Sequence, residues 1–190
     1  MTDGVELWRG KFGDEYTDRN RVNWQARIPF WNRIMRITGA RSVLEIGCNA
    51  GWNLSAIKAA ADYDVRVAGT DVNAGALDQA YAAGLEVYEC LDFRQVPGKF
   101  DLVFTAGVLI HVEPDNVQEM MAAIIDKSYR WVLAVEYADN FETAIPYRGH
   151  DDKCWKRPFG KMYAAMGPRL MLEQPAGAGF DDCTQWLFEK

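Results

Sequence analysis

The sequence predicts a single doubly wound, Rossmann-like α/β domain. Its sheet is mostly parallel and seven-stranded, with helices on both faces and an antiparallel hairpin strand at the C-terminal edge. Three observations carry this. Short continuous apolar runs alternate with stretches of helical period from residue 42 to residue 135, as strands buried on both faces and joined by right-handed crossovers require. The first apolar run passes into a glycine-bearing turn and then a helix, the junction at which such sheets bind ligands. Near the C-terminus two apolar runs are separated only by a Gly/Pro/Asp loop, the pattern of a closing hairpin. With 190 residues, 49% hydrophobic and 25% charged, residues 1–190 make one domain and leave no room for a second core.

Taken in order, residues 1–40 read as helical, interrupted at Gly13 and closed by Gly39, with Ile28, Trp31, Ile34 and Met35 on one helix face. The core then runs over 41–190. Strands are expected at Ser42–Ile46, 65–70, 85–89, 102–105 and 131–135, and helices at 54–61, 74–83 and 116–128, the last beginning near Pro114. Residues 170–172 and 184–188 supply the hairpin.

The net charge of -6 argues against nucleic acid or an acidic membrane surface as a partner. Residues 1–41 nonetheless hold 8 Lys/Arg against 5 Asp/Glu, a candidate wall for an anionic ligand. Cys48, Cys90, Cys154 and Cys183 show neither a CxxC pair nor a regular spacing, so neither a disulfide scaffold nor a zinc site is expected. No basic-then-apolar leader and no run of about 18 apolar residues is present. The expectation is a cytoplasmic protein, monomeric or homodimeric.

The chemistry should sit where β-strand 42–46 meets Gly47-Cys48-Asn49-Ala50-Gly51. Glycines let the backbone approach a ligand closely, and Asn49 tolerates a left-handed conformation. Asp71 lies 20 residues beyond Gly51 at the end of the second strand, where a carboxylate can accept from both hydroxyls of a ribose. A dinucleotide fingerprint would want glycine at position 52, and Trp52 stands there. Glu45, two residues before the first glycine, is an acid placed for a positive group. A ribose without a pyrophosphate, beside a cation, describes an adenosyl sulfonium with an amino-acid tail.

The strings VLEIGCNAGWNL at 43–54, GTD at 69–71 and FDLVFTAGVLIH at 100–111 resemble the ordered motifs of class I S-adenosylmethionine-dependent methyltransferases, over about residues 40–138. Within that superfamily, FGDEYTDRN at 12–20, PYRGH at 146–150 and WKR at 155–157 resemble a small clade associated with pseudaminic acid biosynthesis. The resemblance implies S-adenosyl-L-methionine as cofactor and S-adenosyl-L-homocysteine as product. It puts Gly47, Asn49 and Gly51 in the turn beneath the methionine, with Cys48, Trp52 and Asn53 beside them, and Asp71 with Val72 at the ribose. Where Asn49 stands, the superfamily usually has glycine. The adenine falls to Leu91 with Asp92, or to Glu89 with Cys90, the former preferred, and Ala106 offers backbone to the methionine tail. Residues 1–40 are then a helical cap over the site.

His111, one of two histidines, falls just after the fourth strand at the rim where an acceptor would lie, and imidazole suits a base at neutral pH. Tyr16, Arg19 and Asn20 share one helix face by spacing. Tyr16 is the expected closure over the sulfonium, and Arg19 and Asn20 are expected acceptor contacts. Tyr147, Arg148 and His150 open a second basic cluster continued by Lys153, Lys156, Arg157 and Lys161, suited to a carboxylate or phosphate. Glu136, ending the fifth strand, is expected at the same mouth. Neither Asp151-Asp152 nor Asp181-Asp182 is placed to hold a metal, so no metal is expected. The reading is a methyltransferase for a small polar, anionic acceptor, most simply a sugar hydroxyl. Methylation of an amine, or a non-catalytic nucleotide-binding module, is the alternative.

Overall fold

The computed structural model describes every residue except 1, 2 and 152, so the Asp151-Asp152 reading lies partly outside the described residues. The N-terminal arm consists of α1 (Asp3–Arg9), α2 (Lys11–Arg19), a 3-10 turn at Trp24–Arg27 and α3 (Ile28–Thr38). Its break falls at Gly10, not at Gly13. Gly13 lies inside α2, where a Cβ would stand 1.9 Å from the Trp8 carbonyl oxygen and 2.8 Å from Asn73 Nδ2; the glycine permits close packing of this helix on α1 and on Asn73. α3 starts with Pro29 in its first turn, where the fixed φ suits the helix and no N–H is wasted. Gly39 ends it at φ 60°.

There follow β1 (Ser42–Ile46), α4 (Trp52–Ala60), β2 (Arg66–Asp71), α5 (Ala74–Ala82), β3 (Glu86–Glu89), β4 (Phe100–Ala106), α6 (Pro114–Lys127) and β5 (Ser128–Glu136). The chain closes with β6 (Thr143–Ala144), β7 (Trp155–Lys156), α7 (Phe159–Ala165), β8 (Arg169–Pro175) and β9 (Thr184–Glu189). The seven-stranded sheet has the order β3-β2-β1-β4-β5-β9-β8. Its first five strands are parallel, and β9 and β8 add antiparallel, as the hairpin pattern predicts.

One apolar layer packs Trp31, Ile34, Leu54, Ile57 and Phe104 under α3 and α4. The other packs Val103, Met121, Ile124, Phe159 and Tyr163 under α6 and α7. Burial of each such side chain contributes about 1.5 to 3 kcal/mol. Because β1 is flanked by β2 on one side and β4 on the other, the crossovers leave in opposite directions and open a crevice beyond the carboxyl ends of β1 and β4. The β6/β7 hairpin and α7 were not legible in the sequence. β6 and β7 are two residues long and α7 only seven, too short for a period to show.

Candidate functional site

A cavity of about 530 Å³ occupies that crevice. Its floor is the turn after β1. Gly47 takes φ 72°, and a Cβ there would lie 2.5 Å from Val108 Cγ2, so glycine allows the β1 and β4 turns to abut. Its N–H and that of Cys48 both donate to the Thr70 carbonyl at 2.8 Å. Asn49, at φ 47°, donates its backbone N–H to Asp71 Oδ2 at 2.8 Å. Its amide nitrogen donates to Thr17 Oγ1 on α2 at 2.9 Å. The asparagine thus keeps the glycine-like turn and adds a tie to the N-terminal arm.

Asp71 lines the cavity, with Oδ1 accepting from the Asn73 N–H at 2.9 Å. Burial raises its pKa against the pull of the backbone donors. Each oxygen has engaged one lone pair and keeps another acceptor position. At the opposite side of the turn Glu45 is 2% exposed. Its Oε1 accepts from Asn53 Nδ2 at 2.6 Å, and Oε2 has no partner. Burial pushes the carboxyl up to about 8, opposed by the Asn53 hydrogen bond and by the Arg27 charge. Asn53 Oδ1 in turn accepts from Arg27 Nη1 at 2.9 Å and Trp31 Nε1 at 3.3 Å. A buried acid with one unmatched oxygen suits an ammonium group, and the residues fit the cofactor the sequence implies.

Of the expected contacts, Tyr16, Glu45, Gly47, Cys48, Asn49, Trp52, Asn53, Asp71, Val72, Leu91, Asp92, Ala106 and His111 all line the cavity. Cys90 lines it too, while Glu89 pairs with Arg9 at 3.7 Å outside it. Gly51 does not line it. At φ 75° it caps α4 and packs against Leu85, whose Cδ1 would lie 2.3 Å from a Cβ.

The expected acceptor contacts do not themselves line the cavity, although the Tyr147 ring packs against His111 at 4.9 Å between centroids. Arg19 lies over the Phe12 ring at 5.6 Å and pairs with Glu15 at 3.3 Å. Asn20 ends α2, its side-chain amide donating to the Tyr16 carbonyl at 2.8 Å. Tyr147 and Arg148 sit in a tight turn closed by the Tyr147–His150 backbone pair at 2.7 and 3.0 Å, with Arg148 exposed at φ 51°. Glu136 is fully buried beneath the β4–α6 turn and does not reach the mouth. The second basic cluster also divides, because Arg157 is fully buried. Among the described residues Arg94 is the only Lys or Arg lining the cavity, and Asp92 and Glu119 hold it at 2.8 and 3.0 Å. The cations expected to read an anionic acceptor, Arg19 and Arg148, do not line the cavity.

His111 Nδ1 lies 2.8 Å from the Lys153 carbonyl. A carbonyl only accepts, so Nδ1 carries the proton and Nε2 keeps a lone pair. Burial lowers the pKa to about 4, and the imidazole is neutral at pH 7. Tyr16 is pushed up to about 12 by burial, so its phenol is a hydrogen-bonding group and not a base.

Sequence reasoning missed Trp8, whose ring meets His111 at 4.8 Å and Tyr16 at 5.1 Å and closes the cavity from α1. It missed Asn73, which caps α5 through Oδ1 and donates to Asp14 Oδ1 at 2.8 Å. The α6 wall of Glu113, Asn116, Met120 and Ala123 was present as a helical spacing. That spacing alone could not say which face met a ligand.

These shifts set a stability profile. Glu45 and Glu136, raised to about 8 and about 7 by burial, sit above the ordinary value of about 4.3. Their contribution is full below about 4.3 and is lost progressively as pH rises from there through 7 to 8. His111, lowered to about 4, contributes above about 6.5 and is lost as pH falls toward 4. Between about 4.3 and 6.5 the two raised carboxyls outweigh the one lowered imidazole, so thermal stability should fall from about pH 5 to pH 8, and Glu45→Gln should lessen that fall. A wild-type profile that keeps rising to pH 9 would contradict it.

Residues 43–127 match the family model described as "Methyltransferase domain". Cyclopropane-fatty-acyl-phospholipid synthase of Escherichia coli strain K12 is 30% identical over 109 residues, 56% of this chain and 28% of that protein. The match thus spans under a third of the curated relative's length. Magnesium protoporphyrin IX methyltransferase from Synechocystis PCC 6803, solved with bound SAM, superposes with a TM-score of 0.71 at 15% identity, covering 100% of this chain and 98% of that one. Burkholderia thailandensis 1,6-didemethyltoxoflavin-N1-methyltransferase, solved with S-adenosylhomocysteine, gives 0.76 at 17% identity, covering 98% and 88%. A sugar N-methyltransferase from Streptoalloteichus gives 0.69 at 14%, covering 95% and 93%. At these identities the likeness establishes the fold, and the chemistry has to be argued from the site.

Proposed function

We propose that this chain is an S-adenosylmethionine-dependent methyltransferase that methylates a hydroxyl of a small, uncharged polar molecule such as a sugar, leaving S-adenosylhomocysteine. The observation that carries the reading is the pair of carboxylates, Glu45 and Asp71, bracketing a turn with Trp52 where a pyrophosphate site would want glycine. The cofactor when bound supplies a methyl group on a sulfonium. Glu45 faces the ammonium of its tail, Asp71 the ribose hydroxyls, and Leu91 with Asp92 the edge of the adenine. Trp8 and Tyr16 exclude water from above.

His111 Nε2 accepts the proton of the attacking hydroxyl. A neutral imidazole with its other nitrogen anchored needs no deprotonation step before it acts, and its burial keeps it in that form across the physiological range. Methylation of an amine is favoured by one observation: Glu113, two residues from His111, lines the cavity, and among the described residues its carboxylate accepts a hydrogen bond only from Asn116, at 3.2 Å. A carboxylate there would attract a cationic acceptor.

The test is calorimetric titration with S-adenosylmethionine, S-adenosylhomocysteine and NADH. Micromolar binding of the two adenosyl ligands with a flat NADH titration is expected; no binding of either adenosyl ligand sinks the proposal. Transfer of labelled methyl to a panel of sugars and amino sugars then identifies the nucleophile. His111→Ala should bind S-adenosylhomocysteine within about threefold of wild type while turnover falls by about 10² to 10⁴, the ordinary worth of a general base. Equal turnover in that variant removes His111 from the chemistry.

A further inference from the structure

Six buried polar side-chain atoms among the described residues have no protein partner. Glu45 Oε2 faces the cavity and is accounted for above. The other five, Thr105 Oγ1, Glu136 Oε2, Arg157 Nη2, Tyr163 OH and Trp186 Nε1, gather in one place behind the cavity wall. Thr105 pairs with Ala134 across β4–β5, and Ala134 with Trp186 across β5–β9, so the three share a sheet face. Glu136, two residues past Ala134, points to the same side. α7 covers that face with Tyr163 and with Gly160, where a Cβ would stand 2.4 Å from Trp186 Nε1. Arg157 immediately precedes α7.

What these residues hold is the turn carrying His111. Glu136 Oε1 accepts from both the Val108 and the Leu109 N–H, each at 3.1 Å. From the other side Arg157 Nη1 donates to the Leu109 carbonyl at 2.9 Å. The guanidinium is fixed in its turn by Glu142, which accepts from Nε at 2.6 Å. A buried carboxyl on one side and a guanidinium on the other thus grip the polar groups of Leu109, two positions before His111. The segment that carries Arg157 also presents the Lys153 carbonyl to His111 Nδ1. Both side chains are fully buried, and each leaves a polar atom without a partner among the described residues, an arrangement that costs stability relative to apolar side chains of the same size. Such groups call for a reason other than stability.

We infer that Glu136 and Arg157 form a buried clamp that positions the 108–111 turn and so fixes the orientation of the His111 imidazole at the cavity wall. Both are positioning residues and neither touches a ligand. Its functional meaning rests on the proposed role of His111, but its test needs neither cofactor nor acceptor, so the two readings fail separately.

The test is long-range ¹H–¹⁵N correlation NMR of the two histidines in the full chain, with thermal unfolding alongside. Wild-type His111 should show a single Nδ1-protonated tautomer that stays neutral down to about pH 5. Glu136→Gln keeps an oxygen for both N–H groups and should preserve that signature. Glu136→Ala and Arg157→Lys should each release it, giving mixed tautomers and a titration moved toward the ordinary histidine range near 6.5. Should Glu136→Ala fail to fold, Arg157→Lys, which keeps the charge and loses the fork, decides alone. A folded Arg157→Lys whose His111 tautomer and titration match wild type overturns the clamp, as does a Glu136→Gln variant that releases His111 as fully as Glu136→Ala.

Discussion

Replacing Asp71 with alanine should weaken S-adenosylhomocysteine binding by about 100-fold or more while leaving a folded protein. Two hydroxyls donating to a carboxylate are each worth about 1.5 to 3 kcal/mol when the partner is charged. A combined loss of about 3 kcal/mol is already two factors of ten in affinity. The structure adds a second effect that spacing alone does not show. Asp71 also accepts the backbone N–H groups of Asn49 and Asn73, so alanine removes the group that holds the left-handed turn at Asn49. A lowered unfolding temperature should therefore accompany the lost affinity. Asp71→Asn separates the two: it keeps one oxygen acceptor, turns an amide toward the other N–H, and should fall between wild type and alanine in both measurements. Calorimetry and thermal unfolding on the three proteins read this out. Affinity within about threefold of wild type in a folded Asp71→Ala removes Asp71 from the ribose.

The parts of the site legible in the sequence are those whose position follows from the parallel sheet. Strand ends follow from apolar runs, and the carboxyl ends of β1 and β2 border the crevice, where Glu45 and Asp71 line the cavity; Ala106 was placed by the family resemblance and lines it too. Asn49 was read correctly as a left-handed residue, but its side-chain bond to Thr17 depends on where α2 docks, and no local pattern encodes that. Arg19 and Arg148 illustrate the opposite failure. A cation near a motif in sequence looks like a ligand contact, yet Arg19 finds Glu15 one helical turn away and Arg148 occupies a tight turn facing solvent. Arg27 drew no notice because its partners, Asn53 and the Gly179 carbonyl at 2.8 Å, lie 26 and 152 residues away. Glu136 was identified as significant for being an acid at a strand end, but its direction was wrong. The β4–α6 turn folds back over β5 and offers it two N–H groups, which water at the mouth could not match inside the fold.

On the proposed role of Glu45, the binding of S-adenosylmethionine should be a proton-linked event. In the free protein its carboxyl is raised to about 8 by burial, so near pH 6.5 it is mostly protonated. An ammonium set against the unmatched Oε2 favours the charged form, which draws the pKa down in the complex. The sign follows: binding below pH 8 expels a proton, and affinity rises as pH rises. Close to one proton should be released per molecule bound at pH 6.5, with affinity climbing by up to about tenfold per pH unit. The climb ends near pH 8, where Glu45 is already ionised and an α-amino group, ordinarily at about 7.7 to 8.0, begins to lose its own charge; affinity should then fall. Titrations in two buffers of different ionisation enthalpy count the protons directly. Glu45→Gln should release almost none and lose the rising limb. Its deficit against wild type should be smallest near pH 6, where ionising the acid costs wild-type binding most, and should widen with pH to at least about tenfold at pH 8. A wild-type protein that binds the cofactor at pH 6.5 without proton release would show that the ammonium lies elsewhere, and that the burial of Glu45 serves only its hydrogen bond to Asn53.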